Sequence, residues 1–270
     1  MSAKATRAAR ANYGIDAPGV VRNLFIAGIS GLLIAGGAAI AGTRLRLAIP
    51  VGSARLVFPV ASMAVWIGLG CTAMGCWMLW SSTMGKVRER ERLLDRIDWT
   101  GSERVLDVGC GRGLLLIGAA KRLTTGSASG IDLWQAEDLS GNRPEATLEN
   151  ARREGVAERV DVKTADMRQI PFPDATFDVI VSRAAIHNLY QASDRAQAIG
   201  EIARVLKPGG RALIEDIRHG RQYAAEFERH GCGPVQSVGS PLVSLFLAVV
   251  TWGSLRPAIL LARKSGGLAP

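Results

Sequence analysis

Two long uncharged segments dominate the first hundred residues. One runs from Leu24 to Thr43 and the other from Leu56 to Gly85. Each is long enough to cross about 30 Å of hydrocarbon as an α-helix. Small residues recur at four-residue spacing, which lets helices approach closely in lipid, at Ala27/Gly31, Ala38/Gly42 and Cys71/Gly75. The pattern predicts a transmembrane helical hairpin, and the same small residues suggest a homodimer formed through these helices.

Two other interpretations of these segments stay open. A buried helix pair in a soluble protein would pass the same length test, but a soluble helix this long should have a polar face. Neither segment has one. A cleaved signal peptide is the second alternative, because Ala39-Ile40-Ala41 resembles a cleavage site. The length of the first apolar segment and the presence of a second one argue against it.

After Gly101 short apolar runs alternate with amphipathic segments. The runs expected to form strands are Arg104–Val108, Ala128–Ile131, Arg159–Thr164, Phe177–Ser182 and Ala212–Asp216. The segments expected to form helices are Gly113–Leu123, Pro144–Glu154, Arg195–Val205 and Arg221–His230. Asn142 is expected to cap the second of these helices. Such alternation predicts an α/β fold with a parallel, doubly wound sheet.

Between the apolar segments and this region lies Lys86–Asp98, where charges of both signs alternate. Leu93, Leu94 and Ile97 then follow at helical spacing, which predicts an amphipathic connecting helix. The expected organisation is a basic N-terminal tail at 1–22, two transmembrane helices in 23–85, the connecting helix at 86–100 and a catalytic domain at 101–270.

The charge distribution favours a membrane partner over nucleic acid. The net charge is +9, and residues 1–100 carry twelve Lys and Arg against five Asp and Glu. Nine basic residues flank the two segments, whereas three lie in the loop between them, at Arg44, Arg46 and Arg55. The positive-inside rule therefore predicts a two-span membrane protein with a cytoplasmic catalytic domain, and membrane lipids as partners.

Cysteine and histidine patterns predict no metal site. Cys71, Cys76, Cys110 and Cys232 form no C-x-x-C pair, and the chain has only three histidines. We therefore expect neither a disulfide framework nor a zinc centre.

The strongest chemical signal is the sequence from Val105 to Gly113, VLDVGCGRG. An acidic residue, Asp107, ends an apolar run, and three alternating glycines then lead into a predicted helix. Glycines there allow a tight turn and close approach of a ligand to the backbone. A nicotinamide-binding turn prefers G-x-G-x-x-G, and no Tyr-x-x-x-Lys pair is evident, so redox chemistry is disfavoured.

This stretch resembles the first motif of class I S-adenosylmethionine-dependent methyltransferases, and IDL at 131–133, ADM at 165–167, IPFPDATFDVI at 170–180 and VLKPGGR at 205–211 resemble later motifs of that family. The nearest resemblance is to its small-molecule group, which includes ubiquinone/menaquinone and sterol methyltransferases. It implies a Rossmann-like, seven-stranded doubly wound sheet, with Pro234–Ser240 and Pro257–Lys264 as its last two strands. The implied cofactor is S-adenosylmethionine.

The resemblance also implies site residues. Those expected to bind the cofactor are Asp107, Gly109, Cys110, Gly111, Gly113, Asp132, Leu133, Asp166, Met167 and Ser182. Asp132 is expected to bind the ribose hydroxyls, and Asp166 with Met167 the adenine. His187 is the predicted general base, and the residues assigned to the substrate are Arg183, Tyr190 and Asp216.

The acceptor is expected to be small and soluble in membranes. Nucleic-acid amino-methyltransferases typically carry an Asn/Asp-Pro-Pro-aromatic turn after the fourth strand, and the sequence from Ser182 to Ala185 lacks it. Residues 241–252 are apolar but too short to span a bilayer, so they are interpreted either as a core or edge element or as a greasy lid. A membrane-tethered sensor or scaffold that binds the cofactor without transferring its methyl group is the alternative function.

Overall fold

Two long helices joined by a β-hairpin form the first part of the chain. The structure, a computed structural model, describes residues 10–266, so Lys4 and Arg7 of the predicted basic tail lie outside the described residues. The elements in chain order are helix α1 (Pro18–Ile40), strands β1 (Leu47–Val51) and β2 (Ala54–Phe58), and helix α2 (Val60–Trp80), followed by a π-helical turn at Ser81–Gly85. They belong to one compact unit, Gly14–Lys86 with Ala136–Ser140, called here the helical unit.

Local sequence signals set the ends of these elements. Helix α1 begins at Pro18, earlier than the apolar segment, because proline suits the first helical position. It ends where Gly42 takes a φ of 62° and the Thr43 amide donates to the Ala38 carbonyl. The uncharged segment expected to form the second helix from Leu56 instead begins in strand β2, and α2 starts only after Pro59.

Glycines bring α1 and α2 together within the helical unit. A Cβ on Gly31 would lie 2.7 Å from the Ala64 carbonyl oxygen, and one on Gly75 would lie 3.0 Å from the Phe25 ring. A Cβ on Gly28 would meet Thr72. The helical hairpin is thus observed. Gly31 and Gly75, two of the small residues that suggested a homodimer, pack within one chain, whereas a Cβ on Gly42 would meet no atom within 4 Å. Both helices are long and apolar enough to cross a membrane.

The remaining described residues form a second unit, called here the sheet unit, with residues 10–13, 87–135 and 141–266. Its helices are α3 (Lys86–Leu94), α4 (Leu114–Ala120), α5 (Pro144–Arg153), α6 (Ala192–Val205), α7 (Gly220–Arg229) and α8 (Pro241–Val250). Its strands are β3 (Arg104–Val108), β4 (Ser127–Asp132), β5 (Val160–Thr164), β6 (Phe177–Arg183), β7 (Leu206–Asp216), β8 (Gln236–Ser237) and β9 (Ala258–Arg263).

These strands form one seven-stranded sheet in the order β5-β4-β3-β6-β7-β9-β8. Strands β3 to β7 are parallel, as expected, and β9 runs antiparallel to both β7 and β8. The Rossmann-like fold class is therefore confirmed, with a mixed rather than wholly parallel sheet. Strand order reverses at β3, which lies between β4 and β6 and is the place where ligands bind in such sheets.

Alternating side chains along the strands build a core on each face of the sheet. Val105 and Val179 join a cluster with Leu94 and Leu116, whereas Ile180 joins the opposite cluster. That second cluster also holds residues of α6 and α7. Burial of both faces explains why the strands read as nearly continuous apolar runs.

The Lys-Pro-Gly-Gly segment at 207–210 contains one glycine with positive φ, Gly209 at 78°. Strand β7 begins at Leu206 and includes this segment as an irregularity, because Phe177 pairs with Leu206 while Val179 pairs with Arg211. A Cβ on Gly210 would lie 2.8 Å from the Lys207 carbonyl oxygen, so close backbone packing explains the second glycine.

Candidate active site

Most of the predicted site residues gather at the carboxyl edge of the parallel strands. Asp107 lies near the end of β3, Asp132 ends β4, Ser182 lies near the end of β6 and Asp216 ends β7. Because parallel strands present their carboxyl ends on the same side, these residues share one edge beside the switch point.

The glycine turn after β3 has the backbone that only glycine adopts readily. Gly109, Gly111 and Gly113 take φ values of 72°, 51° and 83°. The Gly109 amide donates to the Ile131 carbonyl at 2.9 Å, which fixes the turn to β4. A Cβ on Gly109 would collide with Ala185, so this glycine also admits the loop that follows β6.

Two buried polar residues of α5 hold this turn from behind. The Thr147 hydroxyl donates to the Gly111 carbonyl at 2.6 Å, and the Asn150 amide donates to the Arg112 carbonyl at 3.0 Å. Asn150 also exchanges two hydrogen bonds of 2.8 Å with the Asn12 backbone. Thr147 and Asn150 were not predicted as site residues, although two polar residues on the inner face of an amphipathic helix are a signal that the sequence contains.

Asp107 supports the turn from within the core. Its carboxylate accepts a hydrogen bond of 2.8 Å from the Leu116 amide in α4, and the residue is only 2% exposed. Burial raises the pKa of Asp107 to about 8, the Leu116 amide opposes that rise, and the nearby Asp132 adds to it. Asp107 was predicted to bind the cofactor, but its contact here is with the helix.

Asp132 lies on the open side of the turn. It accepts hydrogen bonds from the Gly111 amide at 2.8 Å, the Trp134 amide at 2.6 Å and the Asn142 side chain at 3.2 Å. Trp134 takes a φ of 62°, an unusual value for a bulky residue, and its indole donates to Thr164. Three donors therefore fix the carboxylate in place.

Asn142 does not cap α5 as expected, because Arg143 occupies the cap position without a side-chain hydrogen bond. The Asn142 amide group donates to Asp132 and to the Gln135 carbonyl instead. Its side-chain oxygen Oδ1 is buried and has no hydrogen-bond partner. A buried acceptor beside a carboxylate is a place where a ligand hydroxyl would fit.

Asp166 and Met167 follow β5. Arg168 hydrogen-bonds the Asp166 carboxylate at 2.6 Å and holds its pKa below the usual value, and Arg168 also pairs with Asp194 at 2.9 Å. Met167 reaches Gly109, since a Cβ on that glycine would lie 3.7 Å from the Met167 methyl carbon. The structure thus brings Met167 to the turn but engages Asp166 in an ion pair.

Three other predicted cofactor residues differ in their environment. The Cys110 side chain is buried beside Gly130, so it faces the core and not the open edge. Ser182 is 1% exposed, and its hydroxyl donates to the Val108 carbonyl at 2.7 Å, which ties β6 to β3. Leu133 is half exposed next to Asp132. The first two side chains have structural contacts, and their predicted roles in cofactor binding stay predictions.

His187 and Asp216 contact each other directly, a pairing that was not predicted from the sequence. The His187 ring nitrogen Nδ1 lies 2.6 Å from Asp216 Oδ1, and the His187 amide donates to Asp216 Oδ2 at 2.9 Å. The Ile217 amide and the Tyr223 hydroxyl also donate to this carboxylate. Asp216 was predicted to line the substrate pocket, but it is 2% exposed and contacts the histidine.

The hydrogen bond at Nδ1 determines how His187 can act. Because Asp216 accepts at Nδ1, that nitrogen carries the proton and the other ring nitrogen, Nε2, keeps its lone pair. No group in the described chain hydrogen-bonds Nε2, and the His187 side chain is 18% exposed. Burial and the charge of Asp216 raise the pKa of Tyr223, so its hydroxyl remains a donor. A histidine held in this way suits a general base.

The short helical turn that carries His187, Ile186–Asn188, is well supported. It follows Ala185, which lies against Gly109 in the glycine turn. The buried Arg195 donates to the Leu189 and Tyr190 carbonyls at 2.7 and 2.8 Å, which fixes the chain after the turn. The predicted base and the glycine turn are therefore neighbours.

The two remaining residues assigned to the substrate, Arg183 and Tyr190, have different surroundings from each other. The Arg183 guanidinium lies between Glu215 and Glu89, at 2.6 and 2.8 Å. Burial raises the pKa of Glu215, although the Arg183 charge opposes the rise. Tyr190 is 95% exposed. Arg183 is thus neutralised by carboxylates of the protein, and Tyr190 points to solvent.

Part of the chain that forms this site is similar to a known protein family. Residues 106–214 match the model of a methyltransferase domain family. Methyltransferase GfsG of Streptomyces halstedii is 37% identical over 48% of this chain and 43% of its own length. A ubiquinone/menaquinone biosynthesis C-methyltransferase of Geobacter sulfurreducens is 34% identical over 47% and 46%. The chain spans about half the length of the curated relatives it matches.

Solved structures share the fold. Geranyl diphosphate methyltransferase in complex with S-adenosylmethionine has a TM-score of 0.51 and 18% identity, covering 66% of this chain and 85% of that one. The 4+2 cyclase SpnF has a TM-score of 0.52 and 23% identity, covering 67% and 82%. Since one is named a methyltransferase and the other a cyclase, this fold occurs with more than one reaction.

Proposed function

We propose that this chain, whose residues 106–214 form a class I S-adenosylmethionine-dependent methyltransferase domain, moves the methyl group of that cofactor to a small, apolar acceptor while two N-terminal helices anchor it in a membrane. The observation that carries the proposal is the His187–Asp216 pair beside the glycine turn. It supplies an oriented base next to the expected methyl donor.

The residues at the edge fit the cofactor. The glycine turn leaves space that a Cβ would fill, as Gly109 shows. The Asp132 carboxylate and the unpartnered Asn142 oxygen lie side by side, so they could together accept hydrogen bonds from both ribose hydroxyls. Met167 would pack against the adenine. Asp166 would take part only if its ion pair with Arg168 rearranged.

Methyl transfer requires the protein to position the methyl donor and the acceptor and to accept a proton. Bound S-adenosylmethionine supplies an electrophilic methyl group for in-line displacement. As the acceptor atom forms its bond to that methyl, it loses a proton to His187 Nε2. Asp216 then stabilises the positively charged imidazole ring through the hydrogen bond at Nδ1, and the sulfur keeps the electron pair of the broken bond.

A base suits a hydroxyl or an acidic carbon as acceptor. Relatives bear names of both kinds, among them the 27-O-demethylrifamycin SV methyltransferase of Amycolatopsis mediterranei and the sterol 4-C-methyltransferase of Caenorhabditis elegans. Together with two helices apolar enough to cross a membrane, these names support an apolar acceptor. The basic flanks support a cytoplasmic catalytic domain.

Transfer of a tritiated methyl group tests this function. The purified full chain, reconstituted in lipid nanodiscs, is incubated with labelled S-adenosylmethionine and a membrane extract. We expect label in an organic-soluble product, about a hundredth of that label or less with His187→Gln, and full labelling with His230→Gln, an exposed histidine outside the site. Absence of transfer despite tight cofactor binding would instead favour the sensor or scaffold.

The membrane anchor needs its own measurement. Extraction of native membranes with carbonate should leave the full chain in the pellet, and N-terminal sequencing should recover the first residues. Release into the supernatant would favour a soluble protein, and a start after Ala41 would favour a cleaved signal peptide.

A further inference from the structure

Helix α8 has an outward face made only of apolar side chains. The large side chains exposed on it are Leu242, Val243, Leu245, Phe246, Val249 and Val250. The residues that turn inward include the polar Ser244 and Thr251, and the Thr251 hydroxyl donates to the Leu247 carbonyl at 2.6 Å. A helix that faces water shows the opposite arrangement, with its polar side chains outward.

The sheet topology puts α8 at the active-site edge. Strand β9 is antiparallel to β7, and its first residue, Ala258, pairs with Asp216 at the carboxyl end of β7. Strand β8 runs antiparallel to β9, so its chain leads toward the same edge before α8 begins. Both ends of α8 therefore leave the sheet on the side where His187 and the glycine turn lie.

Exposed positive charge accompanies this apolar face. From Gly231 to Leu255 no residue is charged, and Arg256 follows immediately. The Arg256 amide donates to the Ile217 carbonyl, which places it beside the loop that carries Arg218 and leads to Arg221. All three arginines are exposed, and the structure gives none of them a carboxylate partner among the described residues.

These features fit a lipid surface with anionic headgroups. At ten residues α8 is too short to span a bilayer, so it would lie in the interface with its apolar face among the acyl chains. Trp252, 97% exposed at the end of α8, has the side chain that prefers the headgroup level. The arginines would then contact the phosphate groups of the lipids. A protein partner that covered α8 with an apolar face would not supply such phosphate groups.

We propose that α8 inserts into the surface of an anionic membrane and there forms the entrance through which an apolar acceptor reaches His187. The entrance rests on the proposed transferase function, whereas lipid contact by α8 does not. An acceptor dissolved in the bilayer would pass from the acyl chains along α8 to the strand edge without crossing water.

Site-directed fluorescence tests the lipid contact in the full chain. An environment-sensitive dye is attached at Leu245→Cys, in a background with Cys71→Ala and Cys76→Ala, because Cys110 and Cys232 are buried and therefore protected from the label. The matched control carries the dye at Glu228→Cys, an exposed position near the C-terminal end of α7. Both proteins are reconstituted in nanodiscs of phosphatidylcholine, alone or in equimolar mixture with phosphatidylglycerol, with brominated acyl chains as quencher.

We expect a blue-shifted dye at 245 whose emission the brominated chains reduce by about half or more, and no such change at 228. Replacing Arg218, Arg221 and Arg256 by Gln should remove the extra quenching that phosphatidylglycerol causes. An unquenched dye at 245 in a protein that still binds S-adenosylmethionine would overturn the proposal. Disulfide-linked dimers through unlabelled Leu245→Cys would overturn it too, because a second copy would then cover α8.

A kinetic measurement tests the entrance separately. Leu245→Asp with Phe246→Asp should lower the initial rate on the extracted membrane acceptor about tenfold or more when that acceptor is embedded in nanodiscs. The same variant should retain its rate on acceptor delivered in a water-soluble cyclodextrin complex. Equal losses under both conditions would overturn the entrance. No transfer by the unmodified chain, with the dye at 245 quenched, would refute the transferase function and leave the lipid contact standing.

Discussion

The two ends of the active-site edge differ in how completely their buried polar groups are hydrogen-bonded. Asp216, at the end of β7, accepts hydrogen bonds from two backbone amides, the Tyr223 hydroxyl and the His187 ring, and its side chain is 1% exposed. Asp132, at the end of β4, has three donors, and the oxygen of the neighbouring Asn142 side chain has no partner.

This difference indicates two roles: the Asp216 carboxylate positions another side chain, and the Asn142 oxygen is available to accept a hydrogen bond from a ligand. A fully bonded, buried carboxylate can hold a neighbouring side chain in one orientation, as Asp216 holds His187. A buried acceptor without a partner is costly in the free protein, and a ligand that satisfies it recovers that energy on binding. We therefore expect the β7 end to govern turnover and the β4 end to govern cofactor affinity.

The largest expected effect is on turnover at the β7 end. His187→Gln removes the base, so kcat should fall about a hundredfold to ten-thousandfold while the Kd for S-adenosylmethionine stays within error. Steady-state kinetics and calorimetry measure the two quantities, with His230→Gln as control. A parallel loss of cofactor affinity would remove the proposed division between the two ends.

Asp132→Ala should give the next largest effect, at the β4 end. Loss of a charged acceptor for the ribose should raise the cofactor Kd about a hundredfold. The matched control is Asp174→Ala, whose side chain is 77% exposed in the loop before β6. Unchanged binding by Asp132→Ala in a calorimetric titration would contradict the assignment of this carboxylate.

A smaller effect is expected for Asn142→Ala. The lost acceptor should weaken cofactor binding about tenfold. Gln197→Ala removes another side-chain amide that hydrogen-bonds a carbonyl, outside the site, and should bind normally. If Asn142→Ala weakens the binding of adenosine and of 2′,3′-dideoxyadenosine by the same factor, the Asn142 oxygen does not contact the ribose hydroxyls.

The last prediction concerns stability and pH rather than turnover or affinity. The native pKa of Asp107 is raised to about 8, so the folded protein binds a proton there that the unfolded chain releases near pH 4. This contribution to the free energy of unfolding is present below about pH 4 and is lost as the pH rises through about 8. Asp107→Asn stays neutral, so its melting temperature relative to wild type should rise over that window.

Asp178 provides a control of opposite sign. Burial raises the pKa of Asp178, but hydrogen bonds from Lys207 and the Arg104 amide more than offset this and lower it overall. Its contribution to stability is therefore present above its unfolded pKa and lost toward acid pH. Relative to wild type, Asp178→Asn should become less stable as the pH rises out of the acid range. The same pH trend in both variants would contradict the burial argument for Asp107.

The parallel strands were predictable because local sequence pattern marks them. Strand β3 was predicted with its observed ends, and the other parallel strands within a few residues apart from β7, because apolar runs and turn residues mark them. The irregular start of β7 was not predictable, since the pairing of Phe177 with Leu206 depends on a register that only the neighbouring strand sets. The hairpin strand β2 was missed because its Leu56–Phe58 sequence continues an uncharged segment.

In the site, residue types were predictable but their partners were not. Asp132, Met167 and His187 lie at the strand edge as predicted, and their roles stay predictions. The pairing of His187 with Asp216 joins the ends of two strands, and Asp166 meets Arg168 rather than open space. Sequence spacing carries no information about which donors surround a carboxylate once distant segments pack together.

By itself the sequence determined a glycine turn between a strand and a helix, two apolar helices and a doubly wound sheet, because each depends on residues close together in the chain. Tertiary structure alone decided that Asp216 serves His187, that Asn142 lies beside Asp132, and that the apolar face of α8 is exposed at the active-site edge. Each of these depends on contacts or exposure created when strands far apart in sequence end side by side.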